Sequence, residues 1–147
     1  MGLDQALEIS VSGVEAQRRT MELISSNIAN ISTTRTIYGG PYRRRIALLS
    51  EKPLSFKDEL ARAEGKLAPG LSGGGVSVLD VVEDQTAFQK VYNPGHPDAD
   101  PQGNVLMPNV NMATEMVDMV YVSKLYEANI TAFNATKKMM QDTLQLQ

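Results

Sequence analysis

The chain has no cysteine and one histidine among its 147 residues, and its net charge is only −3. Without cysteine there can be no disulfide framework, no thiolate metal site and no thiol nucleophile. A lone His96 cannot build a multi-histidine metal site, and no neighbouring nucleophile in the sequence would give it work as a general base. The small negative charge argues against a nucleic-acid partner, and neither an acidic nor a basic tail is present. No apolar run approaches the ~18 residues of a membrane span. The start, MGLDQALEIS, carries Asp4 and Glu8 and lacks both a basic flank and an apolar core, so it does not read as a secretory signal. With Ala6 at the sixth position the myristoylation pattern fails too. What remains is a globular composition, 42% hydrophobic and 21% charged, in a length that suits one ordinary domain.

Residues 3–31 read as a helix. Leu7, Val14, Met21 and Ile28 fall one heptad apart, with Leu3, Ile24 and Ile31 on the adjacent row, which Ser10 and Gln17 interrupt. Gly13 costs roughly 1 kcal/mol against alanine in a helix interior. It marks either a break between two short helices or a place where Ser10, Ser12 and Gly13 let another backbone come close. Residues 32–108 differ in kind. Gly39-Gly40-Pro41, Pro53, Pro69-Gly70, Gly73-Gly74-Gly75, Pro94-Gly95 and Pro97 cut the segment into short pieces. Between the cuts lie β-leaning runs at Arg43–Ser50, Val76–Val82 and Ala87–Tyr92, with a shorter one at Asn104–Met107. Lys57–Gly65 is open to a short helix or a mobile loop.

After Pro108, Asn111 offers a helix N-cap. From there Met112, Met116, Met119, Ser123, Tyr126, Ile130, Phe133, Lys137, Met140 and Leu144 alternate by four and three, and all but Ser123 and Lys137 are apolar. Such strict spacing over several heptads favours a narrow coiled-coil seam. One helix from Met112 to Leu144 would be about 50 Å long at ~1.5 Å per residue. A compact globule of this chain length is only ~40 Å across. The N-terminal helix, about 43 Å by the same rise, is its natural antiparallel partner. Two helices cannot bury Val117, Val120, Leu125 and Ala132 as well as the main row, so the remaining apolar surface calls for other subunits.

Two local stretches invite a ligand reading. PGHPDADPQGNV, residues 94–105, imitates the start of a calcium loop with Asp98, Asp100 and Gly103, but Gln102 and Asn109 occupy two ligand places and Pro101 and Pro108 stiffen it. A turn between strands explains it better. YGGPYRRR, residues 38–45, could hold phosphate, yet it matches neither phosphate-loop fingerprint; a turn entering a strand, with arginines outward or paired across an interface, is preferred. Methionines 112, 116, 119, 139 and 140 crowd the last helix, where their adaptable side chains suit either a core or an interface with several neighbours.

Three separated stretches carry a family likeness. They are SSNIAN (residues 25–30) followed by PYRRR, then VYNPGHPDADPQGNVLMPNVN (91–111), then EMVDMVYVSKLYEANITAFNATKKMM (115–140) with Tyr126, Ala128 and Asn129. Together they resemble the axial proteins of the bacterial flagellum, specifically the proximal-rod FlgC family of the basal body; the long step from Asn30 to Tyr42 is more like the proximal rod than the distal rod or hook. Residues 51–75 align with no family pattern.

The resemblance implies an elongated α+β fold whose N- and C-terminal long helices pair as a coiled coil around a rod's central channel, with a small β-rich insertion outside. Residues 1–31 with 109–147 would form the helical, rod-forming core domain, and 32–108 the insertion, with 51–75 flexible. It further implies a structural protein with no enzymatic activity, no cofactor and no metal. Its partners would be other rod and axial proteins, copies of itself, and the flagellar type III export apparatus, with no nucleic acid and no membrane span. It would sit in the periplasmic rod of the basal body, exported without a cleaved signal peptide. On that reading Leu7, Val14, Met21 and Ile28, with Met116, Met119, Tyr126, Ile130, Phe133, Met140 and Leu144, hold the inner tube, while Asn27, Asn30 and Asn129 fix register or orientation. The rival reading is a soluble coiled-coil adaptor or chaperone of a secretion apparatus.

Overall fold

Two long helices bracket four short strands in the order α1 (Leu3–Ala29), β1 (Arg45–Glu51), β2 (Val76–Glu83), β3 (Gln89–Tyr92), β4 (Asn104–Met107) and α2 (Met112–Gln145). The computed structural model describes residues 3–53, 60, 63–64 and 74–145. The class is α+β, as the helix-strand-helix pattern of the sequence implies. Most of 51–75 falls outside the described residues, as does most of Lys57–Gly65, where the Glu64 amide donates to the Leu60 carbonyl at 2.9 Å.

Helix α1 runs unbroken through Gly13 for 27 residues. Its serines do not compete with the helix, because Ser10 Oγ donates back to the Ala6 carbonyl at 3.0 Å and Ser12 Oγ to the Ile9 carbonyl at 2.7 Å. The helix stops at an asparagine. Asn30 Nδ2 donates to the Ser26 carbonyl at 2.9 Å, satisfying one of the carbonyls that a helix end leaves orphaned, and Thr33 Oγ1 donates to Asn30 Oδ1 at 3.1 Å. Helix α2, 34 residues long, starts at the cap expected of Asn111, whose Oδ1 accepts from the amides of Ala113 at 2.9 Å and Thr114 at 3.3 Å.

Each pair of strands makes its own two-stranded sheet, β1 with β2 and β3 with β4. At one end the Asp84 amide donates to the Arg44 carbonyl at 2.8 Å; at the other the Lys52 amide donates to the Gly75 carbonyl at 2.9 Å, an antiparallel order for β1 and β2. The β3–β4 pair is antiparallel in the register Gln89↔Met107, Lys90↔Leu106, Val91↔Val105 and Tyr92↔Asn104.

The chain divides into two compact units. The first comprises Met1–Arg19, Leu48–Leu79 and Ser123–Gln147. Within it Gly75, at φ +108°, brings backbone against α1: a Cβ there would stand 3.0 Å from Ser12 Cβ, and the next amide, Val76, donates to Ser12 Oγ at 3.0 Å. Gly13 gives room to Asn129 of α2, whose Nδ2 lies 2.8 Å from where a Cβ would sit. The second unit comprises Thr20–Ala47 and Asp80–Val122, and buries Leu23, Ile24, Tyr42, Val105, Val110 and Val122. There Asn27 of α1 meets Glu115 of α2 at 3.1 Å.

The inner side of α2 is one residue out of step with the apolar count at alternate places. Glu115, Met119, Val122, Tyr126, Asn129, Phe133, Thr136 and Met140 are its buried or half-buried row, so Met119, Tyr126, Phe133 and Met140 of the expected seam belong to it while Met116 stands 54% exposed. Spacing by four and three is preserved. The polar members Glu115 and Asn129 hide the row from a search for apolar residues.

Gly13→Ala supplies about 1 kcal/mol of helix propensity but must displace Asn129. The substitution should therefore stabilise the protein more on an Asn129→Ala background than on the native one, read from urea unfolding followed by circular dichroism. Equal effects on both backgrounds would show that the helices do not touch there.

Candidate functional site

The last full turn of α1, the start of β1 and the first turn of α2 converge on Asn27, which is 1% exposed. Its carboxamide uses every donor and acceptor it owns. Nδ2 donates to the Arg45 carbonyl at 3.0 Å and to Glu115 Oε2 at 3.1 Å; Oδ1 accepts from the Arg45 amide at 2.9 Å and from the Tyr42 hydroxyl at 2.9 Å. The two bonds to Arg45 copy the pairing a neighbouring strand would make, so α1 holds β1 by a side chain instead of a backbone.

Glu115 has no exposed surface. Its Oε1 accepts from Arg44 Nε at 2.5 Å, and Arg44 Nη2 donates to Asp118 Oδ2 at 2.9 Å. Glu115 also sits in the first turn of α2, where the helix dipole favours a negative charge. Burial works against the Arg44 charge, yet the Glu115 hydrogen bond and the charges of Glu115, Asp118 and Asp84 outweigh it and raise the guanidinium pKa. A second asparagine extends the network. Asn109 Oδ1 accepts from the Arg44 amide at 2.8 Å, and its Nδ2 donates to the Asp84 carbonyl at 3.0 Å and to Thr86 Oγ1 at 2.8 Å. The Asp84 carboxyl is held below its ordinary pKa, chiefly by the hydrogen bond from the Thr86 amide. Its contribution is therefore fully present above the ordinary carboxylate value, and is lost as pH falls from there through the lower folded one. No buried side-chain nitrogen or oxygen among the described residues lacks a partner.

The arginine triplet is consumed by this arrangement. Arg44 reaches the two carboxylates of α2, while Arg43 and Arg45 lie over aromatic rings. Arg43 lies 4.3 Å above the Phe88 ring and donates to the Asp84 carbonyl at 3.2 Å; Arg45 lies 5.7 Å from the Tyr42 ring centre and 3.8 Å from Glu83. The calcium-like loop is likewise occupied with itself. Asp100 Oδ1 accepts from the amides of Gln102 and Asn104 at 2.9 and 2.8 Å, and Asp98 Oδ2 accepts from Thr34 Oγ1 at 2.7 Å. His96 Nδ1 accepts from the Asp98 amide at 3.1 Å.

Of the three asparagines named from sequence, the structure puts Asn27 at the centre of this node, Asn30 at the end of α1, and Asn129 against Gly13. Leu7, Val14, Met21, Ile28, Met119, Tyr126, Ile130, Phe133 and Met140 are half-buried, while Met116 and Leu144 are exposed. Sequence reasoning missed Tyr42, Arg44, Asn109, Glu115 and Asp118. The available signal was the heptad step from Glu115 to Val122 to Asn129, a row with acid and amide where apolar residues were sought.

Removing one partner of the buried pair should cost far more than removing both. Glu115→Ala, which leaves Arg44 with Asp118 alone and the Asn27 amide without its acceptor, is expected to lose about 3 kcal/mol of unfolding free energy, and Arg44→Met/Glu115→Met clearly less. Urea titration of the native, single and double variants reads the difference, and a double variant that loses more than Glu115→Ala would overturn the expectation that the stranded Arg44 charge dominates the cost.

Relatives of known identity fit this frame. A family model described as Flagella basal body rod protein matches residues 7–35, which contain Asn27, and one described as Flagellar basal body rod FlgEFG protein C-terminal matches residues 102–146, which contain Asn109, Glu115 and Asp118. The flagellar basal-body rod protein FlgC of Bacillus subtilis is 42% identical over 146 residues, covering 96% of this chain and 95% of that one. FlgC of Borreliella burgdorferi is 38% identical over 98% of this chain and 97% of its own, and FlgC of Escherichia coli O6:H1 is 36% identical over 99% and 98%. With relatives of this identity spanning nearly its whole length, the chain belongs to the FlgC family of flagellar basal-body rod proteins.

Proposed function

We propose that the chain is a structural subunit of the proximal rod, joined through its two terminal helices to copies of itself and to neighbouring axial proteins. One observation carries this reading: the first unit has almost no core of its own. Among its described residues Ala16 is the one buried apolar side chain, although its two helical stretches are well formed. Helices of that kind gain most of their stability from whatever covers them. On α2, Val117, Tyr121, Ala128, Ala135 and Met139 fall on a common line away from the inner row, and all are exposed. Its alanines would let a neighbouring helix approach closely. Different faces of one helix meeting different neighbours make heterologous contacts, which stack without closing.

The same reading has the chain pass unfolded through the flagellar type III export apparatus, without a cleaved signal peptide, and order fully on joining the rod beyond the inner membrane. A small core suits such a passage, because little packing must be undone. No helix among the described residues is long and apolar enough to cross a membrane.

Mass spectrometry of basal bodies stripped of hook and filament tests the assignment. Peptides of this chain in near-constant ratio to the other rod components are expected; their absence, with the chain recovered in the soluble fraction, would favour an adaptor. Ala128→Glu changes an exposed site in the single subunit, so its circular dichroism should match the native protein. In the rod it would bury an unpaired carboxylate, and its recovery in basal bodies should fall more than about tenfold.

A further inference from the structure

The first unit holds a cleft where its core is thin. Helix α1 and strand β2 are joined where the Val76 amide donates to Ser12 Oγ at 3.0 Å. Beside that bond Ser12, Glu15, Ala16, Lys52, Val76 and Val78 line a cavity of about 300 Å³. Ala16 and the two valines make its apolar wall. The lining also carries one charge of each sign, Glu15 from α1 and Lys52 just after β1, and both residues are exposed. Among the described residues neither is ion-paired. A cavity of this size suits one flexible apolar side chain, and its two charges call for one of each sign in return.

Helix α2 carries such a counterpart. Lys138 and Asp142 are an i,i+4 pair, ~6 Å apart along the axis, with Met139 beside them. All three are exposed, Met139 by 60%. Among the described residues Lys138 and Asp142 are ion-paired with nothing, like the two charges of the cleft. They lie across the helix from its inner row at Asn129, Phe133, Thr136 and Met140, so α1 of the same chain does not cover them. Nor can they reach the cleft of their own chain. Asn129 is the α2 residue against Gly13, two residues from Glu15, and Lys138 stands more than two helical turns further along.

We infer that the Lys138–Met139–Asp142 face of α2 in one copy docks on the α1–β2 cleft of a second copy. Met139 fills the cavity, Lys138 meets Glu15 and Asp142 meets Lys52. The inference rests on the rod reading and names one of its contacts. All four charges are unpaired within the single chain, so they can select this pairing of surfaces; a partner of one sign alone would leave Glu15 or Lys52 unmatched. Face and cleft are different surfaces, and the contact therefore repeats from copy to copy without a two-fold axis. One side chain and two ion pairs cover only part of the ~800 Å² per partner of a stable complex. The contact accordingly forms alongside other helix contacts, in the assembled rod.

Exchange of charge tests the pairing. Glu15→Lys and Lys138→Glu each set like charges against one another, and each should lower the amount of this chain in purified basal bodies more than about fivefold. The double variant Glu15→Lys/Lys138→Glu restores opposite signs between copies and should return to within about twofold of the native level. Both sites are exposed in the single subunit, so circular dichroism of the purified chains should not change. Single variants at the native level, or a double variant no better than the worse single one, would overturn the contact while leaving the rod reading intact. Should a charge variant alter the circular dichroism, a cysteine pair decides, in a chain that has no native cysteine. Lys52→Cys and Asp142→Cys, expressed together as separate chains, should give cross-linked dimers in oxidised basal bodies only when both are present. Both incorporated without that dimer, or either linked to a different rod component, would overturn the contact. A native chain missing from basal bodies would remove the rod reading, and the same cysteine pair in concentrated pure protein would then decide the contact by itself.

Discussion

One fully occupied carboxamide, that of Asn27, fixes the second unit. Its four hydrogen bonds reach β1, Tyr42 and, through Glu115, helix α2. No apolar contact could do this, because apolar packing tolerates sliding by a turn while a buried amide with four directed partners does not. Sliding α2 past α1 would strand the Glu115 carboxylate, the Arg44 guanidinium or the Asn27 amide in a place without water, at a cost larger than any single packing contact could return. Register thus comes from polar chemistry, and Asn129 against Gly13 repeats the theme in the first unit with a polar side chain set into the space of a missing one.

That choice is intelligible in a subunit that buries little. Leu23, Ile24, Val105, Val110, Val122 and Tyr42 form a modest core in one unit, and Ala16 stands alone among the described residues of the other. Apolar side chains that a freestanding protein would hide remain at the surface on the β strands, on the Ile37–Tyr38 turn and on α2. A polar node keeps the helices in register whether or not those surfaces are covered. The arginine triplet fits the same economy: each guanidinium is spent on a ring or a carboxylate of its own chain, which organises the strand entry instead of presenting a cationic face.

Much of the fold was legible in the residues. Helix α2 was marked by its cap at Asn111, by its lack of proline and glycine, and by its spacing; β4 was found at its observed bounds, and the starts of β1 and β3 came within two residues. Gly13 was ambiguous, since helix propensity alone cannot tell a break from a close approach; the space was filled by Asn129, far away in sequence. The central site was read only in part. Asn27 was singled out for orientation, but its partners Tyr42, Arg45 and Glu115 were hidden in a segment read as a turn entering a strand and in a helix row counted by its apolar members.

Periodicity and turn chemistry are local, so the sequence by itself determined that this is a helix-strand-helix chain with more apolar helix surface than it can cover. Which row of α2 faces α1 was decided only by tertiary structure. The apolar count places Met116 inside and Glu115 outside, and local propensity does not distinguish them. Glu115 becomes the buried residue because Arg44 and Asn27, distant in sequence, arrive together to satisfy its two oxygens. A carboxylate is acceptable in the interior only when such partners converge on it, and convergence is a property of the folded chain.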